Sequence, residues 1–149
     1  ATLYPTDEML AAATKIPYPQ VKALLCRAMG KASSGATTQF LIQTALSSAL
    51  PGIRIEAIKS LGAHPPSEPI NAVLKKGLSD TVTAVQWQSL ETIGLIGPAA
   101  TTLAESVDTL YRNSTSFWIK GAAIKCLAKI FLALHLKSLF LSRNFRSMG

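Results

Sequence analysis

The side chains best suited to holding a transition metal or acting as a nucleophile are two histidines, His64 and His135, and two cysteines, Cys26 and Cys126. Their surroundings in the sequence suit neither chemistry. A metal site needs several such ligands converging, and here His64 precedes Pro65, His135 precedes Leu136, and no carboxylate cluster lies near either. We expect His64 in a loop and His135 on a helix surface, with no metal site. A cysteine nucleophile needs a base and a positioning group, and neither is indicated. The glycines form no Walker or dinucleotide pattern. Asn113, Ser114 and Thr115 form a glycosylation triplet of a kind that also arises by chance. The sequence thus predicts no catalytic residue and no cofactor; the chain reads as a non-enzyme.

What positions these residues is a repeat. Four ten-residue segments begin at 21, 53, 85 and 119. Their first column is Val21, Ile53, Val85 and Ile119; the fifth is Leu25, Ala57, Ser89 and Ala123. The sixth is Cys26, Ile58, Leu90 and Ile124; the ninth is Met29, Leu61, Ile93 and Leu127; the tenth is Gly30, Gly62, Gly94 and Ala128. At 100° per residue, columns one, five, six and nine span about 140° of one helix face. Each segment therefore predicts an amphipathic helix. Its small tenth residue either admits a neighbouring backbone or ends the helix. Cys26 replaces a core aliphatic, while Cys126 falls beside the stripe with Ala28, Ser60 and Thr92.

A second apolar helix precedes each segment, over residues 7–14, 38–49, 69–78 and 98–110. Breakers separate them: Pro17 and Pro19, Ser33 to Gly35, Pro51 and Gly52, Pro65 and Pro66, Gly97 and Pro98. Pro69 and Pro98 suit a first helical turn, where the missing N–H costs nothing. The expected fold is all-α, a right-handed α-solenoid of about four antiparallel helix pairs. The repeat domain covers 1–134, with repeats at about 5–32, 37–63, 68–97 and 98–134; a basic, apolar C-terminal segment covers 135–149.

Composition agrees. With 149 residues the chain suits one domain or short solenoid, and 48% apolar with only 7% aromatic residues suits close helix packing. Unpaired cysteines imply a reducing compartment. Asp7 and Glu8 stand where a secretory signal has basic residues, and no stretch reads as membrane-spanning. The expected setting is intracellular, cytoplasmic or associated with the cytoskeleton. The net charge of +7 is local: residues 1–108 hold eight basic and eight acidic side chains, and every ionised residue from Arg112 onward is basic.

Ile53, Arg54, Ala57, Leu61 and Gly62 resemble the V-R-x-x-A-x-x-x-L-G second helix of short HEAT repeats, and Leu78-Ser79-Asp80 resembles that family's Leu-x-Asp turn. The likeness covers about residues 5–130. The turn aspartate occurs only at Asp80, and the basic second position reads Lys22, Arg54, Gln86 and Lys120, so an Asp–Arg ladder between repeats is incomplete. The resemblance implies a curved solenoid with a protein-binding face, within a larger protein or multi-subunit assembly. It also leaves two other classes open. HEAT-like proteins include DNA glycosylases, which would need a continuous basic groove, and enzymes of the lyase or hydroxylase type, which would need a chromophore site or His-Glu pairs for iron.

The seventh column, Arg27, Lys59, Glu91 and Lys125, lies about 180° from the centre of the core stripe. It is either a solvated face or, extended by Lys31 and Lys129, a mildly basic groove for an acidic segment of another protein. Trp87 and Trp118 also project off the stripe, where each is either buried against an adjacent pair or loop or exposed, and exposed tryptophan is enriched in binding hot spots. The candidate partner-binding residues are therefore Arg27, Lys59, Lys125, Lys129, Trp87 and Trp118. Residues 130–141 are apolar nearly all round, unlike a terminal cap, and imply docking on the last repeat, another subunit or an anionic lipid surface.

Overall fold

Local chemistry sets the helix starts. Thr6 caps α1 (Asp7–Thr14) by accepting from the Met9 N–H at 3.3 Å. Ser34 and Thr37 form a reciprocal capping box at the start of α3 (Gly35–Ser47). Proline occupies the first turn of α2 (Pro19–Met29), α4 (Pro51–Leu61) and α5 (Glu68–Leu78), where its fixed φ is already helical. The structure, a computed structural model, describes residues 6–146. Among these residues there are helices and no strand. The rest of the order is α6 (Thr83–Ile96), a 3-10 helix (Gly97–Leu103), α7 (Ala104–Asn113) and α8 (Phe117–Arg146).

Two elements depart from the expected boundaries. The helix expected over 98–110 is split. Gly97 takes φ +69°, a conformation open to glycine, and Ala100 has non-helical angles, so a tight 3-10 turn precedes α7. At the other end, α8 runs through residues 134 and 135 without a break, because no proline or glycine occurs in it after Gly121. Of the expected C-terminal segment, residues 147–149 lie outside the described residues, as do residues 1–5.

The helices pack in two rows. The even ones contact one another in chain order, α2 to α4 to α6 to α8, and the odd ones do the same, α1 to α3 to α5 to α7. Each odd helix also packs on the even helix that follows it, and one continuous apolar core lies between the rows. Small residues set the spacing of the even row. A Cβ on Gly30 would lie 3.1 Å from the Ser60 Cβ, and one on Gly62 would lie 3.2 Å from the Thr92 Cγ2. One on Gly94 would lie 3.7 Å from the Cys126 Cα. The tenth column of each segment thus meets the eighth column of the next. Cys126, beside the stripe in that column, is accordingly buried, since α6 lies against it.

Two expected core positions face water, and they fail at opposite ends. Val21 opens the first segment and is 43% exposed, whereas Ile53, Val85 and Ile119 in its column are buried. Ile124 is 55% exposed, whereas Cys26, Ile58 and Leu90 are buried. In the sixth column Ile58 reaches forward to α5, its Cδ1 3.3 Å from where a Cβ on Gly77 would stand, and among the described residues no helix stands at the matching place beyond Ile124.

Candidate functional site

Rows of helices carry side chains outward at fixed intervals, and three sets of such residues could do something. The seventh column is on the surface: Arg27, Lys59 and Lys125 are exposed and Glu91 is half-buried. Arg27 is engaged within the molecule. Its Nη2 donates to Glu56 Oε1 at 2.9 Å and its Nε to Oε2 at 3.4 Å, tying the first segment to the second. This hydrogen bond, with the charge of Glu56, raises the Arg27 pKa. The stem of Lys129 lies over Gly94, its Cδ 3.1 Å from where a Cβ would stand. The column is therefore three separated cations on α2, α4 and α8, the first paired with Glu56, with the carboxylate of Glu91 on α6 between the other two.

The two tryptophans come together. Trp87, in the first turns of α6, and Trp118, in the first turn of α8, line a cleft of about 400 Å³ with Thr83, Ala84 and Ile119. Trp87 is 46% exposed and Trp118 is 80% exposed. Phe117 meets Trp118 edge to face, with ring centroids 6.5 Å apart at 78°. Beside them Lys120 sits over the Tyr111 ring, Nζ 5.3 Å from its centroid. The cleft is walled by aromatic and aliphatic surface and suits an apolar side chain of an incoming polypeptide. Phe117 is absent from the expected set. In the frame of the fourth segment it lies at about 160°, at the edge of the core stripe, and only its place beside Trp118 hinted at it.

The third place is a cavity of about 470 Å³ between α3, α4 and α5, around the Arg54–Asp80 ion pair. Arg54 Nε and Nη2 each donate to Asp80 at 2.9 Å, and Nη1 donates to the Ser48 carbonyl at 3.0 Å. Asp80 also accepts from the Val82 N–H, and its backbone carbonyl from Gln86 Nε2, both at 2.9 Å. Burial pushes the Asp80 carboxyl up, but Arg54, the Val82 N–H and Lys76 outweigh it and hold the pKa below the ordinary value. This is the one Asp–Arg rung the sequence offered. Its charges satisfy each other and offer little to a ligand.

The residues first considered for chemistry are structural. His64 lies in the turn after α4 and is buried. Its Nε2 bonds the Met29 carbonyl at 2.9 Å and its Nδ1 the Thr38 hydroxyl at 2.6 Å, so it pins α2 and α3 to the end of α4. A carbonyl only accepts, so Nε2 donates to Met29, while Nδ1 faces the Thr38 hydroxyl, which also donates to the Ser34 carbonyl at 2.9 Å. His135 is exposed on α8. Burial pushes both thiols up to about 11, against the lowering effects of Lys22 on Cys26 and Lys129 on Cys126. Both are protonated at neutral pH and poor nucleophiles. Among the described residues no three or more His, Cys, Asp or Glu side chains converge on a metal position, and no helix is long and apolar enough to cross a membrane. Compared with known proteins, the chain matches no protein-family model and no curated protein.

Proposed function

We propose that this chain is a HEAT-like, right-handed α-solenoid of about four antiparallel helix pairs that serves as a non-catalytic protein-binding module of a larger intracellular assembly. The two-row contact order and the recurring small-residue step support the architecture. The observation that carries the binding role is the cleft between Trp87 and Trp118, which presents two large aromatic side chains to solvent on neighbouring helices. Tryptophans so placed act as anchors in protein interfaces because they bring large apolar area at low entropic cost. Lys59 and Lys125 on the same row favour acidic segments near the anchor. The two buried thiols suit a reducing, cytoplasmic setting.

The test is affinity capture with the wild-type chain and with Trp87→Ala combined with Trp118→Ala. Both positions are surface-exposed, so circular dichroism and the melting temperature should hold steady. Partners retained by the wild type should be lost from the double variant. An identical set of captured proteins, with the fold intact, would refute the reading.

A further inference from the structure

We propose that the outward face of α8 docks an amphipathic α-helix of a partner protein, one that carries carboxylates beside its apolar stripe and a glycine or alanine at its centre. This rests on the binding-module reading but concerns a surface that meets the Trp87–Trp118 cleft only at Phe117.

The molecule already contains three examples of how a helix joins the even row. At each, a small tenth-column residue, Gly30, Gly62 or Gly94, receives Ser60, Thr92 or Cys126 of the next helix. The sixth column beneath it is then sealed: Cys26, Ile58 and Leu90 are buried. At α8 none of the described residues covers the same face. Its tenth-column residue Ala128 is exposed and its sixth-column residue Ile124 is 55% exposed. The face continues along the helix. Phe117, Ile124, Phe131, Leu132 and Leu139 are all exposed and, with Gly121 and Ala128, fall within an arc of about 100°. From Phe117 to Leu139 the stripe is about 33 Å long, the length of a partner helix of six turns.

The existing steps also specify the occupant. Arg27, in the seventh column, pairs with Glu56 of the helix that follows it. Lys125 holds that column on α8 and is exposed beside the stripe. A helix docking as α4 docks on α2 would place a carboxylate opposite it. Ala128 carries a Cβ where the earlier segments have glycine. A Cβ at Gly30 would come within 3.1 Å of the Ser60 Cβ, so opposite Ala128 glycine fits as the row stands, and alanine, which carries the same Cβ, fits once the two helices part by a few tenths of an ångström. A second copy of α8 does not meet the charge requirement, because the seven ionised residues beyond Asp108 are all basic and two such helices repel.

The test uses the full chain and a labelled synthetic helix of about 24 residues, with a leucine stripe, alanine at its centre and glutamates along both flanks. A sister peptide has lysine at every glutamate. Anisotropy should show saturable one-to-one binding of the glutamate peptide, and at least about tenfold weaker binding of the lysine peptide. Ile124→Glu should weaken glutamate-peptide binding by a similar factor, Lys125→Glu should narrow the preference between the peptides, and Trp87→Ala should leave both affinities unchanged. Should Ile124→Glu fail to fold, Leu132→Glu on the same face replaces it.

Four results would overturn the proposal. They are equal binding of the two peptides, binding indifferent to the α8 variants, a dimer that dissociates on Ile124→Glu, and binding to phosphatidylserine vesicles without binding to either peptide. Failure of the cleft shows as capture indifferent to the tryptophan variants, and failure of this face as peptide binding indifferent to Ile124→Glu. The two are therefore separable.

Discussion

Removing the Asp80 carboxylate should cost far more than removing an ordinary surface charge. The Arg54 and Asp80 side chains are only 15% and 14% exposed, and two 2.9 Å hydrogen bonds join them. Asp80→Ala leaves the guanidinium with the Ser48 carbonyl alone and removes the acceptor for the Val82 N–H. Breaking a buried pair from one side costs about 3–5 kcal/mol, and in a domain of this size each kcal/mol shifts the melting temperature by about 2–4 °C. The expected fall is therefore about 6–20 °C at pH 7. Arg54→Leu should cost a similar amount. The double variant should be less destabilised than the sum by about 2 kcal/mol. The pH dependence has a definite sign. The folded-state carboxyl is held below its unfolded value of about 3.9. Its contribution is complete above that value and disappears as pH falls through the folded value. Urea titrations from pH 7 to pH 2 should thus show wild type and Asp80→Ala converging in acid. A loss under about 1 kcal/mol at pH 7, constant with pH, would mean that the pair behaves as a solvated one and would refute the reasoning.

Gly77→Ala would place a Cβ 2.1 Å from the buried Ser89 hydroxyl, which donates to the Val85 carbonyl; a loss of about 1–3 kcal/mol is expected. Ser89→Ala as background should relieve much of that loss, and an equal loss in both backgrounds would contradict the close approach of α5 to α6. His64→Ala should lower stability by about 2–3 kcal/mol in urea, since the buried Met29 carbonyl loses its side-chain donor; a change within 0.5 kcal/mol, about the scatter of neutral surface substitutions, would show the clamp to be idle. Both thiols, raised to about 11 and buried, should react with a disulfide reagent at pH 8 only as fast as the fold opens, and promptly in denaturant. Prompt reaction of native protein would place a thiol at the surface.

Helical periodicity was legible because burial repeats in step with it. The four second helices and the interior place of Ile58, Leu61, Leu90 and Ile93 followed from angle alone; angle put Trp87 and Trp118 off the core stripe but left open whether a neighbouring pair covers them. Angle cannot report where a row ends. Val21 and Ile124 share columns with buried residues and yet are exposed, because burial there requires a neighbour that the end positions lack. Cys126 showed the converse: its column begins with the exposed Ala28 and is buried at every later step. Long-range polar pairing was hidden as well. Nothing local in the sequence marks His64 as the partner of Met29 and Thr38, which lie 35 and 26 residues away. The meeting of the tryptophans depended on α6 and α8 being adjacent, a consequence of packing.

The order of contacts has a mechanical consequence. Among the described residues every helix leans on its own pair or an adjacent pair, and none reaches across to a more distant one. A load pulling the termini apart finds no single clasp whose failure frees the whole. The pairs stretch in series, each yielding a little, and detach from the ends inward. The glycine joints at Gly30, Gly62 and Gly94 are the leaves of that spring. Bulk introduced at any one of them should stiffen or splay a single joint and leave the elasticity of the others intact.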